Sequence, residues 1–415
     1  MHLGTDRSLV ASSTSSTRFL AVTFTAPRAA TERERPPVNL ALVLDRSGSM
    51  GGRKIALARD AVERALQMLR PTDRFSLVVY DDEVDVLVES TPAAREAVSN
   101  AIGRLRAVGA RGTTNLGGGW LRGCEQVAAH ATPDGLGRAL LLTDGLANVG
   151  IVDPDALKAH AAELRRRGVV TSTFGVGADF DERLLQAMAD EGGGHFYYIE
   201  RPEQIVDLLT SELGDTLEVV ARDVVLDIAL PGGVRAELLG AARSAPVAGG
   251  VRIDLGDLVA SQEVSLYIAI EVPAGKTGER VEIEARVRDR DGVLGFPPAR
   301  LAWTYVNGTE AASQPIDHDV LRQAAELQAD LVRRDALEAN RRGDFDGARA
   351  LLDLAAQSLR ACAPNVSAVE GVACELLAEQ HGYAAVMSPL ESKARFFRQQ
   401  SNLRGRTAEG KTRKR

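Results

Sequence analysis

The sequence predicts an α/β domain, an antiparallel β-sandwich and a helical domain, in that order along most of the chain. Strand-like apolar runs alternate with helical patterns between residues 37 and 213, which is typical of an open, doubly wound, mainly parallel sheet. Short alternating runs fill 214–308, and helical spacing fills 315–400. The 415 residues, 45% of them apolar, suffice for several folded domains.

The α/β domain begins with a nearly continuous apolar run at 38–44, which ends at Asp45 and is typical of a strand buried on both faces. Apolar residues then recur at helical spacing between Ile55 and Leu69. The same reasoning predicts strands at 75–80, 84–88, 139–142, 169–176 and 195–199. It predicts helices near 92–105, 116–129, 155–167, 181–190 and 202–213.

The β-sandwich is predicted from alternating runs that turn residues such as Gly249-Gly250 separate. These runs are 219–230, 251–255, 264–272, 281–287 and 302–306. Residues 20–25 alternate in the same way. We therefore expect residues 1–36 to add strands to the same sandwich, so that the α/β domain is inserted in it.

The helical pattern of 315–400 has no repeating period and predicts a small helical bundle rather than a helical repeat. Residues 403–415 are almost devoid of apolar side chains, and from Arg404 onward six basic residues stand against one acid. This composition predicts a disordered basic tail.

Composition also excludes several classes of protein. No apolar run approaches the roughly 20 residues of a membrane-spanning helix, so a channel is excluded and a soluble, cytoplasmic protein is expected. The formal net charge is −7 although the tail is basic, so the predicted domains are acidic. We therefore expect no specific nucleic-acid partner.

Five oxygen-bearing residues fall on three loops at the carboxyl edge of the predicted sheet, where ligands bind in such folds. They are Asp45, Ser47, Ser49, Thr114 and Asp144. An Asp-x-Ser-x-Ser segment alone is better explained as a capping turn than as a metal-binding loop. Three such loops at one edge favour a metal site, and hard oxygen donors without His or Cys suit Mg²⁺ or Mn²⁺.

The segments that carry these residues, Asp45-Arg-Ser-Gly-Ser49, Gly112-Thr-Thr-Asn115 and Leu142-Thr-Asp-Gly145, resemble the three motifs of a von Willebrand factor A (VWA) domain. The flanking segments resemble the bacterial type of this family, and the resemblance covers about 175 residues. It implies a Rossmann-like fold and a complete metal-ion-dependent adhesion site. The implied metal ligands are Asp45, Ser47, Ser49, Thr114 and Asp144, with Mg²⁺ or alternatively Mn²⁺ or Ca²⁺.

The resemblance implies a metal-dependent adaptor or scaffold rather than an enzyme. Neutral hydroxyl ligands leave the cation under-neutralised, so that it attracts an Asp or Glu of a protein partner. Arg46, Arg53 and Lys54 lie near this edge, and either attraction of an acidic ligand or simple solvation of a helix face explains them.

Two alternatives stay open: a metal-assisted hydrolase, and an accessory subunit that works with a separate AAA+ ATPase or a signalling complex. The site motifs contain no His or Cys to act as base or nucleophile. His195 lies in a β-rich segment, where a packed or surface role is favoured. The chain has no GxxxxGK[ST] loop and hence no P-loop ATPase motor of its own.

Overall fold

The computed structural model describes residues 1–29, 35–362 and 366–414. The chain divides into two compact units. One unit is the continuous stretch Glu32–Glu218, and the other combines Met1–Thr31 with Val219–Arg415. The second unit is therefore built from both ends of the chain.

The first unit is an α/β fold, as predicted. Its strands are β4 (Val38–Asp45), β5 (Arg74–Tyr80), β6 (Val84–Pro92), β7 (Leu136–Thr143), β8 (Val169–Val176) and β9 (Gly193–Ile199). Its helices are α1 (Arg53–Met68), α2 (Arg95–Arg106), α3 (Leu116–Ala128), α4 (Pro154–Arg166), α5 (Glu182–Gly192) and α6 (Gln204–Leu217).

The six strands lie in the order β6-β5-β4-β7-β8-β9 and are parallel except for the antiparallel β5–β6 pair. The chain adds strands first on one side of β4 and then on the other. The strand order therefore reverses between β4 and β7, and ligands of open α/β sheets bind at such a switch point.

Helix α3 packs unusually close to this sheet because it carries glycines on its buried face. A Cβ atom at Gly119 would lie 2.4 Å from the ring of Tyr80, and one at Gly123 would lie 2.3 Å from a methyl group of Val43. Between these glycines, the fully buried Trp120 donates a hydrogen bond from its indole nitrogen to the hydroxyl of Thr171. Glycine is thus required at both positions by the close approach of helix and strand.

Among the residues that the structure describes, the second unit has ten strands in two sheets. They are β1 (His2–Thr5), β2 (Leu9–Ala11), β3 (Ser16–Thr25), β10 (Val219–Ala229), β11 (Arg235–Leu238), β12 (Arg243–Val247), β13 (Gly250–Val259), β14 (Glu263–Val272), β15 (Arg280–Arg288) and β16 (Ala299–Val306). The four-stranded sheet has the order β1-β3-β14-β11, and the six-stranded sheet has the order β12-β13-β10-β15-β16-β2.

The N-terminal segment supplies strands to both sheets. Strand β3 pairs antiparallel with β14 from Ser16 to Thr25. Side chains of both sheets, including Leu20 from β3 and Leu226 from β10, belong to one hydrophobic core. Strand β2 pairs in parallel with β16, so the six-stranded sheet is mixed rather than purely antiparallel as predicted. Parallel pairing is possible here because these two strands are far apart in sequence and need no tight turn.

Helices follow the last strand, as predicted. They are α7 (Gly308–Ser313), α8 (His318–Arg341), α9 (Phe345–Cys362), α10 (Ser367–Glu379) and α11 (Pro389–Leu403). The buried side-chain amide of Asn340 in α8 donates hydrogen bonds to the carbonyl oxygens of Tyr383 and Ala385, which ties α8 to the segment before α11. In the described ranges, none of the helices combines the length and apolar character needed to cross a lipid bilayer.

The predicted disordered tail, 403–415, differs from the structure, in which both ends of the stretch 403–414 are bonded to the unit that contains the two sheets: Leu403 O accepts from the backbone N–H of Ala241, and Lys414 forms a β-bridge with Gln262. The backbone N–H of Glu263 donates to the carbonyl oxygen of Arg413 at 3.0 Å, and Arg406 is 9% exposed. The guanidinium of Arg406 donates to the carbonyl oxygen of Gly410. The tail is therefore held by backbone and guanidinium hydrogen bonds, which apolar composition does not reveal.

We expect removal of residues 405–415 to lower the free energy of unfolding of this unit by about 1 kcal/mol, because Glu263 loses its backbone partner. Urea denaturation followed by circular dichroism measures this change. The Ala408→Ser variant, at an exposed position of the same segment, is the control and should be neutral. An unchanged midpoint after truncation would restore the prediction of a disordered tail.

Candidate metal centre

Two buried carboxylates lie at the switch point of the α/β sheet. Asp45 is the last residue of β4, and Asp144 directly follows β7. The two strands are parallel neighbours with Leu44 opposite Leu142, so both carboxylates reach the same edge of the sheet. Both residues are fully buried.

The loop after β4 brings two serine hydroxyls to this edge. Asp45 accepts a hydrogen bond from the backbone N–H of Ser47 at 2.7 Å, which folds the loop back over the strand end. The hydroxyl oxygens of Ser47 and Ser49 lie 3.1 Å apart, and Ser49 donates to Asp144 Oδ1 at 2.6 Å. The loop thus joins the two strand ends through side-chain oxygens.

The loop that carries Thr114, just before α3, is joined by backbone hydrogen bonds to the loop after β4. The N–H of Gly48 donates to Gly112 O at 3.1 Å, and the N–H of Arg111 donates to Arg46 O at 2.7 Å. A Cβ atom at Gly145 would lie 3.1 Å from the hydroxyl oxygen of the buried Thr114. The Thr114 hydroxyl therefore closely approaches the backbone that follows Asp144.

A network of charged side chains supports these two loops. The buried Arg46 donates to Asp81 at 2.9 Å and to Asp85 at 2.6 Å, and Arg111 donates to Asp81 at 2.7 Å. Burial opposes ionisation of Asp81, but the backbone N–H of Glu83 and the two guanidiniums outweigh it and hold the pKa of Asp81 below its usual value. The network ties the loop of Ser47 and the loop of Thr114 to the segment after β5.

The ionised form of the Asp45 carboxylate is electrostatically unfavourable in the folded domain. Burial raises its pKa to about 6, and the nearby negative charge of Asp144 acts in the same direction. Hydrogen bonds from the hydroxyl of Thr143, at 2.6 Å, and from the backbone N–H of Ser47 oppose this rise without cancelling it. A positive charge placed at this edge would stabilise the ionised carboxylate.

The arrangement fits a small, oxygen-coordinated cation. Neighbouring oxygens around an octahedral Mg²⁺, with bonds of 2.0–2.1 Å, lie about 2.9 Å apart. The Ser47–Ser49 and Ser49–Asp144 oxygen separations of 3.1 and 2.6 Å bracket that spacing. In the described parts of the chain, no group of three or more His, Cys, Asp or Glu forms a metal cluster. The candidate site therefore depends on hydroxyls as well as its two carboxylates.

Some contacts of this site were not expected from the sequence. Thr143 lies inside the Leu-Thr-Asp-Gly motif, and its hydroxyl fixes Asp45. Asp81 lies in an acidic turn, and the sequence did not predict that Arg46 and Arg111 of two other loops would contact it. Of the three cations considered for the edge, Arg53 pairs with Glu203 and Lys54 pairs with Asp144. His195 contacts the carboxylate of Glu212, with Nδ1 at 3.2 Å from Oε2.

Residues 39–211 match the family model described as von Willebrand factor type A domain. Together with the fold and the strand-end loops, this match confirms a VWA domain in this part of the chain. The complete adhesion site that the resemblance implied stays a prediction.

Two relatives each match just under half of this chain. The chain is 32% identical over 197 residues to the uncharacterized protein YfbK of Escherichia coli strain K12, a match that covers 47% of this chain and 34% of that protein. It is 30% identical over 201 residues to inter-alpha-trypsin inhibitor heavy chain H1 of Bos taurus, covering 46% of this chain and 21% of that protein. The chain therefore spans less than two thirds of the length of either relative.

Two solved structures share the fold over more than nine tenths of the chain. A von Willebrand factor type A protein from Catenulispora acidiphila aligns with a TM-score of 0.67 and 18% identity, covering 91% of this chain and 96% of that one. The ArnB paralog VWA2 from Sulfolobus acidocaldarius aligns with a TM-score of 0.56 and 17% identity, covering 93% and 99%. At these identities the likeness concerns the fold alone.

Proposed function

We propose that the VWA domain is a metal-dependent protein-interaction module. Its ligands, acting directly or through water, are Asp45, Ser47, Ser49, Thr114 and Asp144. The cation is Mg²⁺, with Mn²⁺ or Ca²⁺ as alternatives, and it binds an Asp or Glu side chain of a protein partner. The observation that carries the proposal is the spacing of the Ser47, Ser49 and Asp144 oxygens at the sheet edge.

The charges of the site favour an acidic ligand from outside. Three of the five proposed ligands are neutral hydroxyls, and Asp144 already shares its charge with Lys54. Both oxygens of Asp45 accept hydrogen bonds from within the protein. A bound divalent ion would supply an incompletely neutralised Lewis acid, and a partner carboxylate would complete its coordination.

The remainder of the chain is proposed to be a scaffold for this module. Residues 1–36 and 214–308 would form one β-sandwich into which the VWA domain is inserted, with 315–400 as a helical bundle. The shared core of the two sheets and the discontinuous unit support this arrangement.

The scaffold would act in a cytoplasmic multiprotein assembly. A separate AAA+ ATPase or signalling complex is a second class of partner, for which the chain would act as an accessory subunit.

Calorimetric titration with Mn²⁺ tests the metal site. The Ser49→Ala variant should bind Mn²⁺ about tenfold more weakly, because one oxygen donor is lost at an exposed position. Thr113→Ala, which removes a neighbouring exposed hydroxyl outside the proposed ligands, should bind as the wild type does.

Retention of proteins from the source cell on the immobilised full chain tests the partner. We expect retention in Mg²⁺ that is lost in EDTA and reduced by Ser49→Ala. The proposal fails if the wild-type chain does not bind Mn²⁺, or if retention is the same with and without chelator.

A further inference from the structure

Lys54 contacts the candidate metal site from the first turn of α1. Its ammonium nitrogen lies 2.5 Å from Asp144 Oδ2. The hydroxyl of Ser49 donates a hydrogen bond to the other carboxylate oxygen, Oδ1. Asp144 is fully buried, and the side chain of Lys54 is only 26% exposed. One oxygen of the Asp144 carboxylate therefore contacts the ammonium of Lys54, and the other contacts the proposed metal ligand Ser49.

The surroundings leave room for the ammonium on this side of Asp144. Gly177, just after β8, has a φ of +79°, and a Cβ atom there would lie 3.9 Å from the Lys54 nitrogen. A glycine is favoured by this backbone conformation and places no side chain beside the ammonium. The Lys54 ammonium therefore lies between the ends of β7 and β8.

The other cations of these loops are directed elsewhere. Arg46 pairs with Asp81 and Asp85, and Arg111 pairs with Asp81 and Glu83. Lys54 differs from both arginines because its partner is itself a proposed metal ligand. It is also held where its charge acts at short range.

We propose that Lys54 sets the charge of the metal site, weakening cation binding but strengthening the hold of the bound cation on a partner's carboxylate. This inference rests on the proposed function. The two carboxylates give the site a formal charge of −2, and the ammonium of Lys54 beside Asp144 reduces it to −1 before a cation binds. A bound divalent ion then leaves a net charge of +1, which an incoming carboxylate neutralises. Lys54 also fixes Asp144 so that Oδ1 faces Ser49, and it is therefore a positioning residue.

The test measures the two effects of Lys54→Met separately. Calorimetry with Mn²⁺ alone should show about tenfold tighter binding than in the wild type, since a like charge beside the ion is removed. With Mn²⁺ saturating, water-proton relaxation during titration with acetate reports carboxylate binding. Lys54→Met should require about tenfold more acetate for the same change, because its metal-loaded site is neutral.

Arg53→Met is the matched control, because it removes the neighbouring cation of α1, which pairs with Glu203 instead. It should leave both constants within about twofold. Lys54→Gln provides a second neutral variant if the methionine variant is poorly folded by circular dichroism. If the wild type binds Mn²⁺ but the neutral variants bind it no more tightly, or bind acetate equally well, this inference alone is overturned. A wild type that does not bind Mn²⁺ overturns the proposed function and this inference together.

Discussion

Deletion of residues 1–28 is expected to abolish the cooperative unfolding of the unit that contains both ends of the chain. Strand β3 lies between β1 and β14, so its loss exposes the full edge of β14. Leu20 and Val22 are fully buried in the core and Phe24 is 6% exposed. At about 1.5–3 kcal/mol for each buried side chain, their loss approaches the 5–15 kcal/mol stability of a typical domain.

Differential scanning calorimetry distinguishes this outcome. The transition of the sheet unit should disappear, while the VWA domain, whose sheet is built from residues 38–199, should still unfold cooperatively. Leu20→Ala should lower the melting temperature of the sheet unit, and Thr23→Ala, on the same strand but outside the core, serves as its control. Two unchanged transitions in the deletion variant would show that the N-terminal strands are dispensable.

The α/β fold could be predicted from the sequence because its central strands, β4 and β7, are buried along their whole length and are apolar on both faces. Runs such as 38–44 and 139–142 do not resemble loops or amphipathic helices, and they correspond to β4 and β7. The strands that were missed lack this signal. Strand β12 has no buried residue, and β1 and β11 have no fully buried side chain. Such strands are determined by pairing with distant partners rather than by their own pattern.

Contacts within the candidate site were predictable only in part, for a similar reason. Motif spacing predicted which side chains end at the sheet edge, since a strand end determines that locally. The pairing of Arg46 with Asp81 joins residues 35 positions apart, and that of Lys54 with Asp144 spans 90 positions. Charged residues of this kind are equally compatible with a solvated surface until the topology brings them together.

Asp45→Asn is expected to abolish Mn²⁺ binding and, in EDTA, to stabilise the VWA domain by about 3 kcal/mol at pH 7. The pKa of Asp45 is raised in the folded domain from 3.8 to about 6. Stability from this group is therefore fully present below about pH 3.8 and is lost as the pH rises through about 6. A neutral asparagine avoids this loss, and about two pKa units correspond to about 3 kcal/mol.

Chemical denaturation at several pH values measures the effect as the difference in unfolding free energy between Asp45→Asn and wild type. The difference should be near zero at pH 4, grow between pH 4 and 6, and shrink again when Mg²⁺ stabilises the wild type alone. Asp179→Asn, an exposed carboxyl after β8, is the control and should show no such pH dependence. If Asp45→Asn were less stable than wild type in EDTA at pH 7, the buried carboxylate would be contributing to the fold. The ionised carboxylate would then not lower the free energy of unfolding in the absence of a cation, contrary to this prediction.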